Sequence, residues 1–114
     1  MAGIWTLREP EHRLHHLREK LVRITGLPDG TAPVDVAVAA YTALARGRPR
    51  IVLASLEDAL GVTERPNVPG TTTEFPNWRL ALPIALEDVE RADGVNRIAD
   101  AMRATGRSAN LSQA

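Results

Sequence analysis

Aliphatic positions recur early in the chain at intervals of three and four: Leu14, Leu17, Leu21 and Ile24 form one such series. The spacing predicts an amphipathic helix over residues 9–25. Pro10 suits its first turn, where a missing N–H costs nothing. Gly26 and then Pro28-Asp29-Gly30 predict its end and a turn. A second helix is expected from Pro33 to Arg46, with Asp35 in its first turn and Gly47 and Pro49 as the stop. Its run VDVAVAAYTALAR is apolar around much of its circumference, so it needs neighbours on more than one side.

The period then changes. Residues 50–54 (RIVLA) are a short continuous aliphatic run, which reads as a fully buried strand of the kind found in parallel sheets. Ser55-Leu56-Glu57-Asp58 follows. Ser55 is placed to cap a helix N-terminus, with Asp58 three residues on, near the positive end of the dipole. A short helix over 56–60 closes at Gly61. Residues 62–83 carry no period; they hold Pro66, Pro69, Gly70, Pro76 and Pro83. A loop this long inside a small domain tends to be functional. Two helical pieces, 86–91 and 94–105, complete the pattern. The second has Val95, Ile98, Ala99 and Met102 as its stripe and Asp93 as a cap, and Gly106 ends it. The polar residues 108–114 are expected to fray.

In a chain of 114 residues these elements make one domain. Fourteen basic side chains balance fourteen acidic ones, which argues against nucleic acid as a partner. The absence of cysteine excludes a disulfide scaffold and any thiolate metal site. No stretch approaches the ~20 apolar residues of a membrane span, and the start lacks the apolar core of a signal peptide. The expectation is a cytoplasmic chain with no membrane partner. Asn110-Leu111-Ser112 matches a glycosylation triplet but would need a secretory context that this reading does not supply.

The candidate chemistry is sparse. His12, His15 and His16 share a helix face and could hold zinc or nickel, or could be a polar flank beside the leucine stripe. No metal is assigned to them. Glu57 and Asp58 follow the expected strand, but adjacent helical residues diverge by about 100°, and Asp58 already has a capping role. Arg46, Arg48 and Arg50 read as a solvated basic loop. Pro66 and Pro69 stiffen the backbone on either side of Asn67, and Gly70 opens a conformation closed to other residues. An asparagine held this way can donate and accept together, which suits a pair of sugar hydroxyls, or it can bond its own loop. Trp78 could stack on a sugar face or pack the loop onto the body. Motifs for dinucleotides, P-loop phosphates, serine hydrolysis and zinc proteolysis are missing.

Residues 51–82 carry an ordered series of short motifs. Leu56-Glu57-Asp58-Ala59-Leu60-Gly61 comes first. Asn67-Val68-Pro69-Gly70-Thr71 follows, then Glu74-Phe75-Pro76-Asn77-Trp78-Arg79. This series resembles the C-terminal part of the 4-α-glucanotransferases (amylomaltases or disproportionating enzymes, glycoside hydrolase family 77), and a weaker likeness extends over residues 33–106. Two departures stand out. Thr73 occupies a position where an acidic residue is common, and Leu80 and Ala81 stand where the family often has a basic one.

The resemblance implies a (β/α)8 barrel and a retaining mechanism. An aspartate forms a β-glycosyl-enzyme, a glutamate serves as acid and then base, and another glucan's 4-hydroxyl takes the place of water. No cofactor is implied. These two carboxylates and a further aspartate that holds the sugar hydroxyls all lie upstream of the matched part in the family, so the resemblance gives this chain no catalytic residue. Asn67 is its implied glucan contact, with Thr73 and Glu74 bordering the same subsites. Pro69, Gly70, Asn77 and Trp78 are implied to anchor the loop. The expected fold is mostly α with one short buried strand, the C-terminal segment of a barrel and incomplete on its own. The expected divisions are 1–32 (helix and turn), 33–106 (barrel segment) and 107–114 (tail). The chain alone is expected to be inactive, encoded or expressed without its catalytic body. It should associate with itself or with a complementary barrel chain, with α-1,4-glucan or maltodextrin as the family's substrate. The alternative is a non-catalytic helical interaction or carbohydrate-binding module.

Overall fold

The structure, a computed structural model, describes residues 11–106. Expectations for Pro10, the glycosylation triplet and the polar tail lie outside the described residues. Helix α1, Glu11–Thr25, places Glu11 in its first turn and Arg23 in its last, each opposite in sign to the nearby dipole end. It closes where the Gly26 N–H donates to the Val22 carbonyl at 2.8 Å. The following turn is held by Thr31, whose hydroxyl donates to the Pro28 carbonyl at 2.7 Å.

Helix α2, Pro33–Arg46, opens on a proline and carries Asp35 in its first turn. It is the hub of the fold, packing against α1 and against two further helices, α3 (Leu56–Ala59) and α4 (Asp93–Ala104). Its alanines explain why: small side chains let several helices approach one axis, and Ala45 is the buried residue of the helix. α2 and α4 are also joined by charge, with an Arg97 guanidinium N–H donating to Asp35 Oδ1 at 2.6 Å. Both partners are part-exposed, so solvent limits this pair to ~1 kcal/mol or less.

α3 meets α4 at a backbone-to-backbone contact. Gly94 is buried, and a Cβ built there would collide with the Ala59 carbonyl oxygen. Glycine is required by space here. The expected cap role of Asp93 falls instead to the backbone of Ala92, which makes no side-chain cap bond. Asp93 is the first helical residue and pairs with Arg97 at 3.5 Å. Asn96 reaches back, its amide donating to the Glu90 carbonyl at 3.0 Å and so tying α4 to the 3₁₀ helix Leu86–Arg91.

The expected strand is absent. Among the described residues there is no strand, and residues 50–54 are irregular. A parallel strand needs a neighbouring strand to accept and donate its backbone bonds, and the described residues provide none. Ile51 and Leu53 are consequently 78% and 81% exposed. The fold class is thus corrected: the structure is helical throughout its regular elements, and a (β/α)8 barrel segment is not what it shows.

Packing is thin. The buried apolar residues are Ala45, Ala59, Val68 and Ile98, three of them small or medium in size. Leu17, Ile24, Leu44 and Leu86 are among the large aliphatic side chains left exposed.

Candidate functional site

α3 delivers the chain into the long loop through a three-residue lock. Ser55 caps the helix, its hydroxyl accepting from the Asp58 N–H at 3.1 Å. The reciprocal half of the capping box runs through Tyr41 of α2: its hydroxyl donates to Asp58 Oδ2 at 2.6 Å and accepts from the Ser55 N–H at 3.2 Å. Burial, first, and the bond to Asp58 raise the Tyr41 phenol above its ordinary value of 10.0, so it stays a neutral donor. Tyr41 had no signal as a site residue in the sequence. Its one clue is a lone phenol in an alanine-rich helix, which needs a partner once half-buried.

The loop itself is braced by Asn77. Its Oδ1 accepts from the Val68 N–H at 2.8 Å, while its Nδ2 donates to Thr71 Oγ1 at 2.8 Å. Thr71 in turn donates from its hydroxyl to the Val68 carbonyl at 2.6 Å. Val68 to Thr71 form a turn closed by the Thr71 N–H on the Val68 carbonyl at 3.2 Å. Pro69 and Gly70 take its central positions, and Gly70 has φ 85°, as a type II turn requires. Val68 is buried and pins this turn to the body.

The implied glucan contact behaves differently. Asn67 is half-buried, and its side chain has no hydrogen-bond partner among the described residues. The alternative in which Asn67 closes its own loop is therefore not realised; Asn77 does that. Thr73 is exposed. Glu74 folds onto its own turn, accepting from the Thr72 N–H at 2.7 Å and the Thr72 hydroxyl at 3.1 Å. The Thr72 backbone bond is the main reason the Glu74 carboxyl lies below its ordinary value of 4.5. It is a fixed anion at neutral pH and unsuited to donate a proton. No hydrogen bond joins Asn67 to Thr73 or Glu74 among the described residues.

Trp78 holds the loop by its backbone. Its N–H donates to the Pro66 carbonyl at 2.7 Å, and its φ of 59° is left-handed, which for a bulky residue costs on the order of 1–3 kcal/mol. The residue is 75% exposed, so its side chain does not pack into the described body. A hollow of about 510 Å³ at the loop's base is lined by Leu60, Val62, Thr63, Glu64, Leu80 and Pro83, and by none of the contact candidates. The histidines form no centre either: His15 and His16 lie 3.4 and 3.7 Å from the two oxygens of Glu19. No group of three potential metal ligands converges among the described residues.

Comparison with known proteins gives this loop its context. The family profile described as 4-alpha-glucanotransferase, glycoside hydrolase 77, matches residues 1–86. Proteins named 4-alpha-glucanotransferase from Mycobacterium bovis and Mycobacterium tuberculosis are 37% identical to it over 93 residues, covering 75% of this chain. The chain spans 13% of the length of these curated relatives. No solved structure matches it. With its loop motifs inside a profile match that covers most of the sequence, the chain belongs to the 4-alpha-glucanotransferase family, glycoside hydrolase family 77.

Proposed function

We propose that this chain supplies a substrate-side loop to a 4-α-glucanotransferase, which moves α-1,4-glucan segments between maltodextrins through a retaining glycosyl-enzyme. The carboxylates that attack the anomeric carbon and protonate the leaving oxygen come from outside these residues. The observation that carries the reading is the division of labour between two asparagines. Asn77 spends its amide on holding the loop, which leaves the Asn67 amide to pair with two neighbouring hydroxyls of a glucosyl unit. Glu74, ionised and exposed, adds an anionic acceptor beside Thr73. In this reading residues 33–106 form the unit that carries the loop, Pro69 and Gly70 fix its turn, and no cofactor takes part.

The chain needs a partner to act, either a complementary catalytic chain or a second copy. The exposed aliphatic residues Ile51 and Leu53, two positions apart in a segment that resembles a barrel strand, support this. No described helix is long and apolar enough to cross a membrane, and we place the reaction in the cytoplasm with other maltodextrin metabolism. Incubation of the purified chain with maltotriose should leave the trisaccharide unchanged; glucose and longer maltodextrins would show a complete active site. In a full-length relative, alanine at the position matching Asn67 should lower transfer about tenfold or more, the value of a lost hydrogen-bonding group in the transition state. Unchanged transfer kinetics would remove the role.

A further inference from the structure

Trp78 is the exposed aromatic among the described residues. Tyr41 and Phe75 are part-buried, whereas Trp78 is 75% exposed. Its φ of 59° is left-handed, a conformation open to glycine and costly for a bulky residue. Burial of the indole would offset that cost, and the indole is not buried in the described body. The backbone does not call for tryptophan either. The N–H that donates to the Pro66 carbonyl at 2.7 Å is one that any residue except proline supplies. What tryptophan alone brings to position 78 is a large flat ring left in water.

Position 78 adjoins the unpaired amide of the loop. The Pro66 carbonyl that accepts from Trp78 belongs to the peptide bond whose nitrogen is that of Asn67. The next N–H along, from Val68, donates to Asn77 Oδ1 at 2.8 Å. Residues 66–68 and 77–78 therefore run side by side, with Asn67 and Trp78 as neighbours. The Asn67 side chain has no hydrogen-bond partner among the described residues. Around Trp78 in the chain, Thr72, Thr73, Glu74 and Arg79 are exposed polar groups. Leu80, the nearest exposed large aliphatic residue in sequence, lines the hollow with Leu60 and Val62, and Trp78 does not. A surface built for a protein partner would surround the ring with a contiguous apolar patch. One aromatic face among hydrogen-bonding groups suits a sugar instead. A pyranose presents hydroxyls around its edge, two of which an amide can pair. Its axial C–H bonds make an apolar face, slightly positive toward the negative face of an indole.

We propose that the Trp78 indole is a stacking platform for a glucosyl unit whose hydroxyls pair with the Asn67 amide. This rests on the reading that Asn67 meets glucan, and it adds the contact that selects a pyranose ring over an open-chain polyol. The other tryptophan of the chain is Trp5, so the full chain carrying Trp5→Phe reports on Trp78 fluorescence alone. Before sugar is added, acrylamide should quench that fluorescence readily. Maltoheptaose should shift it saturably and protect it from the quencher; sorbitol, which has hydroxyls but no ring face, should do neither. By calorimetry, Trp78→Gly should weaken maltoheptaose binding about tenfold, as loss of one stacked ring does, and Trp78→Tyr should keep most of the affinity. Trp78→Gly should also melt no lower than the parent, because glycine accepts the left-handed backbone. An indole already shielded without sugar, an equal response to sorbitol, undiminished binding by Trp78→Gly, or a lower melting midpoint for that variant overturns the proposal. If Asn67→Ala lowers affinity and Trp78→Gly does not, the stacking role fails and the Asn67 role stands; the reverse result removes Asn67 alone. No binding of maltoheptaose by the parent chain contradicts both.

Discussion

At the scale of single residues, the loop depends on which asparagine is paired. Asn77→Ala removes the acceptor of the Val68 N–H and the donor to Thr71. The expected cost is about 1–3 kcal/mol, read as a lower thermal midpoint and faster amide exchange at Val68; unchanged exchange there would show that the loop is held by something else. Glu74 gives a pH test. Its folded pKa lies below 4.5, so the Thr72–Glu74 contact contributes fully above the unfolded value and is lost as pH falls through the folded one. Carbon-detected titration should place the Glu74 midpoint under 4.5, and Glu74→Gln should remove the accompanying shift of the Thr72 amide. A midpoint at or above the ordinary value would contradict the geometry. Asn67 could be singled out in the sequence by its flanking prolines. The division of labour with Asn77 could not, because both are asparagines in the same loop and only folded coordinates show which backbone donors lie within reach.

At the scale of elements, the contact between α3 and α4 has almost no tolerance. Gly94→Ala places a methyl group on the Ala59 carbonyl, and the displacement should cost about 1–3 kcal/mol, as overpacking does; equal stability in a denaturant series would show that the helices separate freely. Tyr41→Phe keeps the ring and removes the bridge between Asp58 and Ser55. About 1.5–3 kcal/mol is expected for a bond to a charged acceptor, measured as a fall in the urea midpoint. The raised phenol pKa adds a sign: stability from this bridge persists below pH 10.0 and is lost as pH rises through the higher folded value. A Tyr41→Phe variant with the same alkaline transition would exclude that bridge. The helices were legible because a stripe such as Val95, Ile98, Ala99 and Met102 has a period of its own. The strand over 50–54 was misread because aliphatic composition describes a buried segment, whereas a strand also needs a neighbour. A sequence does not show whether one is present.

At the scale of the whole molecule, the described residues combine a small core with many exposed aliphatic side chains. Val68 and Ile98 are its largest buried apolar residues, and the loop stands on that base with Asn67 unpaired. The family was legible because the motifs at 56–61, 67–71 and 74–79 occur in order. The expectation that no catalytic group lies in this chain rests only on where those motifs sit in the family. The most direct test is an NMR titration of the nitrogen-15-labelled chain with maltoheptaose, following the side-chain amides of Asn67 and Asn77. Saturable shifts at Asn67, a steady Asn77 pair and an intact oligosaccharide are the predicted result. An Asn67 amide that stays fixed at saturating sugar, or an oligosaccharide redistributed into shorter and longer chains, would contradict the account.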